Sequence, residues 1–242
     1  MKQAPLPANE AERLAALKEY HILDTGIDQT YDDITALAAH ICEAPIALVS
    51  LVDETRQWFK SRVGVDQRQT PREVAFCAHA ILQHEPLIVK DATKDRRFAD
   101  NVLVTGKPHI RFYAGIPLTN PEGLALGTLC VIDQQPRQLS DAQQKALEAL
   151  SRQVMALLEL RRVSARLANT LEQVKTLQEL LPICAWCKRI RDDEGYWNQV
   201  EAFFHKHTGA DFTHGICPEC LEKVHAKWRR KRSATKTAHA KP

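Results

Sequence analysis

The longest stretch of this sequence without glycine or proline includes residues 140 to 181, and Pro182 ends it. Ser140 and Gln143 have the spacing of a capping box, which predicts that a helix begins here. A helix of this length extends for about 60 Å. One small domain cannot cover it, so part of the helix must pack against something else.

The apolar residues of this helix follow two registers. The first alternates three and four residues apart at Leu147, Leu150, Val154 and Leu157, and the second does so at Leu160, Val163, Leu167, Thr170, Val174, Leu177 and Leu181. Such spacing is typical of a coiled-coil seam. We predict that the first half packs on the preceding domain and that residues 159–181 form a coiled coil with a second copy of the chain. The alternative is one amphipathic helix lying on its own domain.

The segments before this helix indicate an α+β domain. Helical patterns at residues 12–20 and 31–43 precede a predicted hairpin at residues 46–63. Two further strands are predicted at residues 110–118 and 124–132. We expect one antiparallel sheet, with the terminal helices on one face and irregular segments on the other.

Several motifs between residues 10 and 158 resemble those of the GAF domain of bacterial signalling proteins. The matching segments are HILDT (His21–Thr25), IALVSLVDETRQWFKS (Ile46–Ser61), FCAHAI (Phe76–Ile81), DATKDRRFADN (Asp91–Asn101), GKPHIRFYAGIPL (Gly106–Leu118) and LGTLCVID (Leu126–Asp133). The resemblance implies a GAF-like antiparallel sheet with flanking helices and a ligand pocket between the sheet and the loops. It also implies a sensor function for residues 10–158.

The resemblance places eight residues around this pocket: Phe76, Cys77, His79, Asp91, Arg97, Phe98, Arg111 and Tyr113. Arginine forks bind carboxylate or phosphate, and aromatic rings form flat apolar walls, so a small polar or anionic ligand is expected. Alternatively, Arg97 and Arg111 pair with Asp91, Asp95 or Asp100 and only stiffen the loops. The acidic residues that mark cyclic-nucleotide-binding relatives are not found, so that ligand is not predicted.

Four of the seven cysteines follow Pro182, as the pairs Cys184 and Cys187, and Cys217 and Cys220, with 29 residues between the pairs. Two such pairs complete a tetrahedral site of four thiolates, which predicts a structural zinc ion. A predicted hairpin and a helix beginning at Pro218 make residues 182–228 resemble a treble-clef zinc finger. The alternatives are iron in a rubredoxin-like site and reduced cysteines without metal.

The remaining cysteines are Cys42, Cys77 and Cys130, which we expect to be packed in the core. Cys77 lies just inside a predicted short helix, and this favours a redox-sensing thiol as an alternative. Some GAF-like proteins reduce methionine sulfoxide with paired cysteines. A thiol reductase using Cys77 or Cys130 is therefore the enzymatic alternative, although the spacing of the cysteines does not support it.

Positive charge is concentrated at the end of the chain. The net charge is +3, and residues 221–242 hold eight Lys or Arg against one Glu. Residues 229–242 are predicted to be a basic disordered tail. Together with the zinc module, this tail makes a nucleic-acid-binding regulator the second hypothesis, with contacts to phosphates and salt-sensitive binding.

The leading prediction is a cytoplasmic sensor and adaptor without catalytic activity. The start of the chain has no signal-peptide core, no apolar run is long enough to span a membrane, and no catalytic motif is defensible. A ligand of unknown identity would bind residues 10–158, the coiled coil of a homodimer would transmit the change, and the zinc module would relay it to a signalling partner.

Overall fold

The computed structural model describes residues 2–178, 181–192 and 194–238. They form two compact units, which divide between Leu171 and Glu172. The first unit contains a six-stranded sheet in the order β3-β2-β1-β6-β5-β4, and every neighbouring pair is antiparallel. Its strands are β1 (Ile46–Val52), β2 (Arg56–Val63), β3 (Gln69–Pro71), β4 (Leu87–Val89), β5 (Phe112–Thr119) and β6 (Ala125–Asp133).

Five helices belong wholly or partly to this unit: α1 (Glu10–Glu19), α2 (Gln29–Cys42), α3 (Phe76–Ala80), α4 (Val102–Thr105) and α5 (Asp141–Gln178). The predicted α+β fold with one antiparallel sheet and flanking helices is confirmed. The sequence patterns missed β3, a strand of three residues that includes Pro71. They also missed α4, which begins after Asn101, whose side chain accepts a hydrogen bond from the Leu103 backbone N–H at 2.9 Å.

The sheet has a helical face and a loop face, each with its own core. Side chains alternate between the faces along the central strands, since Val49 and Val131 pack with α1, α2 and α5, whereas Leu48 and Cys130 pack with α3 and the loops. Every residue of β1 and β6 is buried. Strands buried on both faces read as continuous apolar runs, which is the pattern of Ile46–Val52.

The first half of α5 packs on the helical face. The predicted capping box forms, with the Gln143 backbone N–H 3.3 Å from Ser140 Oγ and the Ser140 N–H 3.0 Å from Gln143 Oε1. Leu147, Val154 and Leu158 are buried. The helix thus begins as part of the domain core.

Beyond Leu158 the apolar side chains of α5 turn to solvent. Arg162 still joins the helix to the domain through Glu122, at 3.1 Å. Leu160, Val163 and Leu167 of the predicted seam are each more than half exposed. Residues 179–180 and the side chains of residues 174–178 lie outside the described part, and the coiled coil remains a prediction.

The second unit contains a small hairpin, β7 (Ile190–Arg191) and β8 (Trp197–Asn198), followed by α6 (Val200–Thr208) and α7 (Pro218–Ala238). The hairpin and the helix beginning at Pro218 were predicted. Residues 229–238 of the predicted tail continue α7, and residues 239–242 lie outside the described residues. The helix continues because residues 229–238 have no glycine or proline and are rich in lysine, arginine and alanine, which favour helix.

An ion cluster fastens α1 to the sheet. The Arg13 guanidinium, which is almost fully buried, donates to the Val52 carbonyl at 2.6 Å and to Glu10 at 2.8 Å. Arg72 also donates to Glu10. Burial alone would raise the pKa of Glu10, but the hydrogen bonds from Arg13 and Arg72 outweigh it and lower the pKa to about 2.

Glu10→Gln is expected to lower the free energy of unfolding at pH 7 by about 2–3 kcal/mol. Because the folded-state pKa lies below the unfolded value, the carboxylate stabilises the fold above the unfolded pKa and loses this effect as pH falls through the folded pKa. In urea titrations, the gap between variant and wild type should therefore close between about pH 5 and pH 2. Glu12→Gln, an exposed change in the same helix turn, is the control, and a gap independent of pH would contradict the assignment.

Candidate functional site

A cavity of about 520 Å³ lies on the loop face of the sheet. Its floor comes from β1, β2 and β6, and its other walls come from α4 and the loops at residues 64–67 and 107–110. The lining is mostly apolar, and includes Ile46, Leu48, Phe59, Val65, Leu103, Ile110 and Ile132. Volume and lining of this kind are typical of a small-molecule site.

Two residues of the cavity lining each hold a buried polar atom that has no hydrogen-bond partner among the described residues: Gln57 Oε1 and Thr70 Oγ1. Gln57 is only 6% exposed. The two residues are direct partners across β2 and β3, so both polar groups come from one point of the sheet. An unpaired buried polar atom is unfavourable by about 1–3 kcal/mol, and a ligand that hydrogen-bonds both would remove that penalty.

Charged and polar groups also line the cavity. Asp66, Lys107 and His109 come from its loops, and Gln134, which is exposed, follows β6. The arrangement suits a molecule whose apolar body contacts the floor and whose hydrogen-bonding edge meets Gln57 and Thr70.

None of the eight residues predicted to bind ligand lines this cavity. Most of them meet in the neighbouring core, where the Phe76 and Phe98 rings stack with centroids 4.0 Å apart. Tyr113 tilts against Phe76 at 5.2 Å, and His79 meets the edge of Phe98 at 4.9 Å. The Arg97 guanidinium lies 5.1 Å from the Phe98 ring centroid.

The charged members of the predicted set have partners nearby. Arg97 pairs with Asp95 at 2.6 Å, and Asp91 pairs with Lys94 at 3.0 Å. Arg111 donates to the Val104 carbonyl at 2.9 Å and so joins β5 to α4. The Arg97–Asp95 pair is one that the alternative expected, whereas Arg111 bonds to a backbone carbonyl and not to a carboxylate.

Cys77 and Cys130 form part of a buried thiol cluster with Tyr113 and Thr128. Their Sγ atoms lie 3.9 Å apart. Thr128 Oγ1 donates to Cys77 Sγ at 3.0 Å, and the Tyr113 hydroxyl donates to it at 3.3 Å. The Ser50 hydroxyl also lies near this sulfur, although it makes no hydrogen bond of ordinary geometry.

The cluster shifts the pKa values of the two thiols in opposite directions. Burial alone would raise the pKa of Cys77, but the hydrogen bonds from Cys130, Thr128 and Tyr113 outweigh it and lower the pKa. The hydrogen bond to Cys77, together with burial, raises the pKa of Cys130. Cys77 is therefore the thiol that ionises first.

The two residues with unpaired atoms were not among those predicted. Gln57 could have been noticed in the sequence, because it lies two residues from Phe59 and so on the same face of β2. An apolar residue is expected at that position if the face is fully packed. Thr70 had no such signal, since it lies on the short strand that the pattern missed.

The four predicted zinc ligands form two local pairs. The Cys187 backbone N–H lies 3.5 Å from Cys184 Sγ, and this contact lowers the pKa of the Cys184 thiol. The Cys220 backbone N–H does the same for Cys217 at the start of α7. Among the described residues, no three His, Cys, Asp or Glu side chains come together in a metal-binding arrangement.

The donor set nevertheless fits zinc, because two Cys-x2-Cys turns with backbone N–H groups directed at sulfur suit thiolate ligands. The second unit also has almost no core of its own. Ile190 is the one fully buried side chain that the structure describes there, and Trp186 is 94% exposed. A module of this size without a core needs another source of folding energy.

Comparison with known proteins gives a family match and a closer relative. The profile of the GAF domain family matches residues 26–158. The chain is 47% identical over 157 residues to a cyclic di-GMP phosphodiesterase of Pseudomonas aeruginosa, a match that covers 64% of this chain and 27% of that protein.

Solved structures of GAF domains resemble the chain at lower identity. The domain from a phosphoenolpyruvate-protein phosphotransferase of Coxiella burnetii is 12% identical with a TM-score of 0.49, covering 65% of this chain and 97% of that one. The corresponding Acinetobacter domain is 16% identical with a TM-score of 0.47, covering 64% and 96%. Within the described residues, no helix is both long and apolar enough to cross a membrane.

Proposed function

Since this chain belongs to the GAF domain family, we propose that its first unit is the sensory part of a cytoplasmic signalling protein and binds a small molecule in the cavity. The observation that carries the proposal is the pair of unpaired atoms, Gln57 Oε1 and Thr70 Oγ1, on two residues of a mostly apolar lining. The ligand presents a hydrogen-bond donor to the Gln57 carbonyl oxygen and a donor or acceptor to the Thr70 hydroxyl. The cavity therefore replaces the eight residues of the sequence prediction as the proposed binding site.

The output of the sensor is proposed to travel along α5. Its first half is part of the core that backs β1 and β6, and those strands form the cavity floor. Its exposed residues Leu160, Val163 and Leu167 continue the three-four spacing of a coiled-coil seam. We infer that the occupant of this seam is a second copy of the chain.

The second unit is proposed to hold one zinc ion and to relay the signal to a protein partner. Cys184, Cys187, Cys217 and Cys220 would hold the ion, which would draw the two pairs together and fix the hairpin against the start of α7. Support comes from the donor set and from the near absence of a core in this unit.

A second candidate function follows from the 47% identical relative, whose name describes cyclic di-GMP hydrolysis. That name weighs against the expectation of a chain without catalytic activity, although the match covers 27% of the relative. Under this second candidate function, the chain acts in cyclic di-GMP signalling. Hydrolysis of cyclic di-GMP by the purified chain would favour this function over a purely sensory role.

The cavity is tested with the double variant Gln57→Leu/Thr70→Val. Because both unpaired atoms are removed, the ligand-free variant should be as stable as the wild type or more stable, while retention of a small molecule falls at least about tenfold. Native mass spectrometry of protein purified from cells measures retention, and thermal unfolding measures stability. Gln134→Leu, a change at an exposed lining position, should retain the ligand. Equal retention by the double variant would contradict the proposed site.

The metal is tested with Cys217→Ser. Wild-type protein should contain about one zinc per chain, and the variant should lose it together with protection of residues 182–228 from protease, since structural zinc contributes about 10–16 kcal/mol of apparent binding energy. Elemental analysis and limited proteolysis are the measurements. His205→Ala should keep the metal, and wild-type protein that is metal-free when prepared under reducing conditions would reject the site.

The seam is tested with Val163→Glu/Leu167→Glu. Two charges in the seam should convert dimers to monomers at micromolar concentration, as measured by light scattering. Asn169→Glu adds a charge at a position away from the seam and should leave the dimer intact. A wild-type protein that is already monomeric would exclude the coiled coil.

A further inference from the structure

The thiol cluster has features that core packing alone does not require. Cys77 is 1% exposed and Cys130 is fully buried, yet three side-chain donors surround the Cys77 sulfur. A sulfur atom is a weak acceptor as a thiol and a strong one as a thiolate, so donors directed at it favour the ionised form. The second sulfur stands at 3.9 Å, where a modest movement of both side chains reaches the disulfide bond length of about 2 Å.

We propose that Cys77 and Cys130 are an oxidisable dithiol, which a hydroperoxide converts to a disulfide inside the domain. Cys77 is the attacking thiol because it accepts the hydrogen bonds from Thr128 and Tyr113. Cys130 is the resolving thiol because its sulfur is the neighbour of Cys77.

The chemistry takes place in two steps. The Cys77 thiolate attacks one oxygen of the hydroperoxide, so that an S–O bond forms, the O–O bond breaks, and the departing oxygen takes up a proton and leaves as alcohol or water. Cys130 then attacks the Cys77 sulfur, the S–S bond forms, and the sulfenic hydroxyl leaves as water with the Cys130 proton. Two thiols lose two electrons in total, and the hydroperoxide gains them.

Access to the sulfurs favours a small oxidant. Neither cysteine lines the cavity, so a bulky sulfoxide would not reach them from there. Cys77 lies on α3, a helix of five residues. Local opening of such a short element admits a molecule of the size of hydrogen peroxide.

Cys42 is the internal reference for this reactivity. It is also fully buried, but it belongs to the core on the opposite face of the sheet. Its sulfur contacts no second cysteine among the described residues, and burial raises its pKa to about 11. Oxidation that depended on burial or exposure alone would treat Cys42 like the pair. Oxidation through the cluster spares Cys42.

The test uses the full-length chain, treated with hydrogen peroxide, quenched, denatured with an alkylating reagent and digested without reduction. Mass spectrometry should find the Cys77 and Cys130 peptides joined, and Cys42 alkylated in full. Thr128→Val removes one donor while keeping the shape, and should slow the disulfide by about fivefold, the factor for one ordinary hydrogen bond. Cys130→Ala should leave Cys77 as a sulfenic acid that dimedone captures.

Recovery of both thiols in reduced form, under peroxide treatment that oxidises Cys184 and Cys187 of the same molecules, would overturn the proposal. Disulfide formation at equal rates in the wild type and Thr128→Val would overturn the assignment of Cys77 as the activated thiol. A disulfide that includes Cys42 would show that the chain had unfolded before it reacted, and would also count against the proposal.

Discussion

The close approach of β6 to β1 is the contact on which the first unit depends. A side chain at Gly127 would place its Cβ 1.9 Å from the Ser50 carbonyl oxygen, so the two backbones meet at a distance that only glycine permits. Both strands are buried along their whole length. One face supports α1, α2 and α5, and the other provides the cavity floor and the sulfur of Cys130. The helices and the candidate site therefore share a single rigid layer.

Much of the fold could be predicted from the sequence because its signals are local. Alternation, capping residues and turn residues identified the long helices and the four long strands of the sheet. The cavity could not be predicted in this way, since it depends on which residues of distant segments share one sheet face. The pairing of Gln57 with Thr70 is a property of register between β2 and β3. The aromatic residues that the motifs indicated lie instead in the adjoining core, and the arginines bond to Asp95 and to the Val104 carbonyl beside it.

In the second unit, too, local features could be predicted from the sequence, whereas contacts between distant segments could not. Each Cys-x2-Cys pair has its own turn, which the spacing indicated, whereas the proposed meeting of all four sulfurs would require an ion to balance their charge. The helix α5 differs again, because its sequence has two apolar registers and the domain core includes Leu147 and Val154 of the first. The second register is the part that we propose to pair with another copy of the chain.

Gly115 links the thiol cluster to the order in which residues of this core can be substituted. Its missing side chain leaves the space that the Tyr113 hydroxyl occupies, since a Cβ there would stand 2.2 Å from that oxygen. The hydroxyl in turn has a polar partner in this core because Cys77 is there. A lineage that lost Cys77 would leave the hydroxyl with Thr128 as its remaining polar partner, so phenylalanine would be better tolerated at position 113. Because a Cβ at position 115 would also stand 2.6 Å from the ring carbon Cζ of Tyr113, the glycine would be free to change only after the aromatic ring at position 113 had itself been replaced.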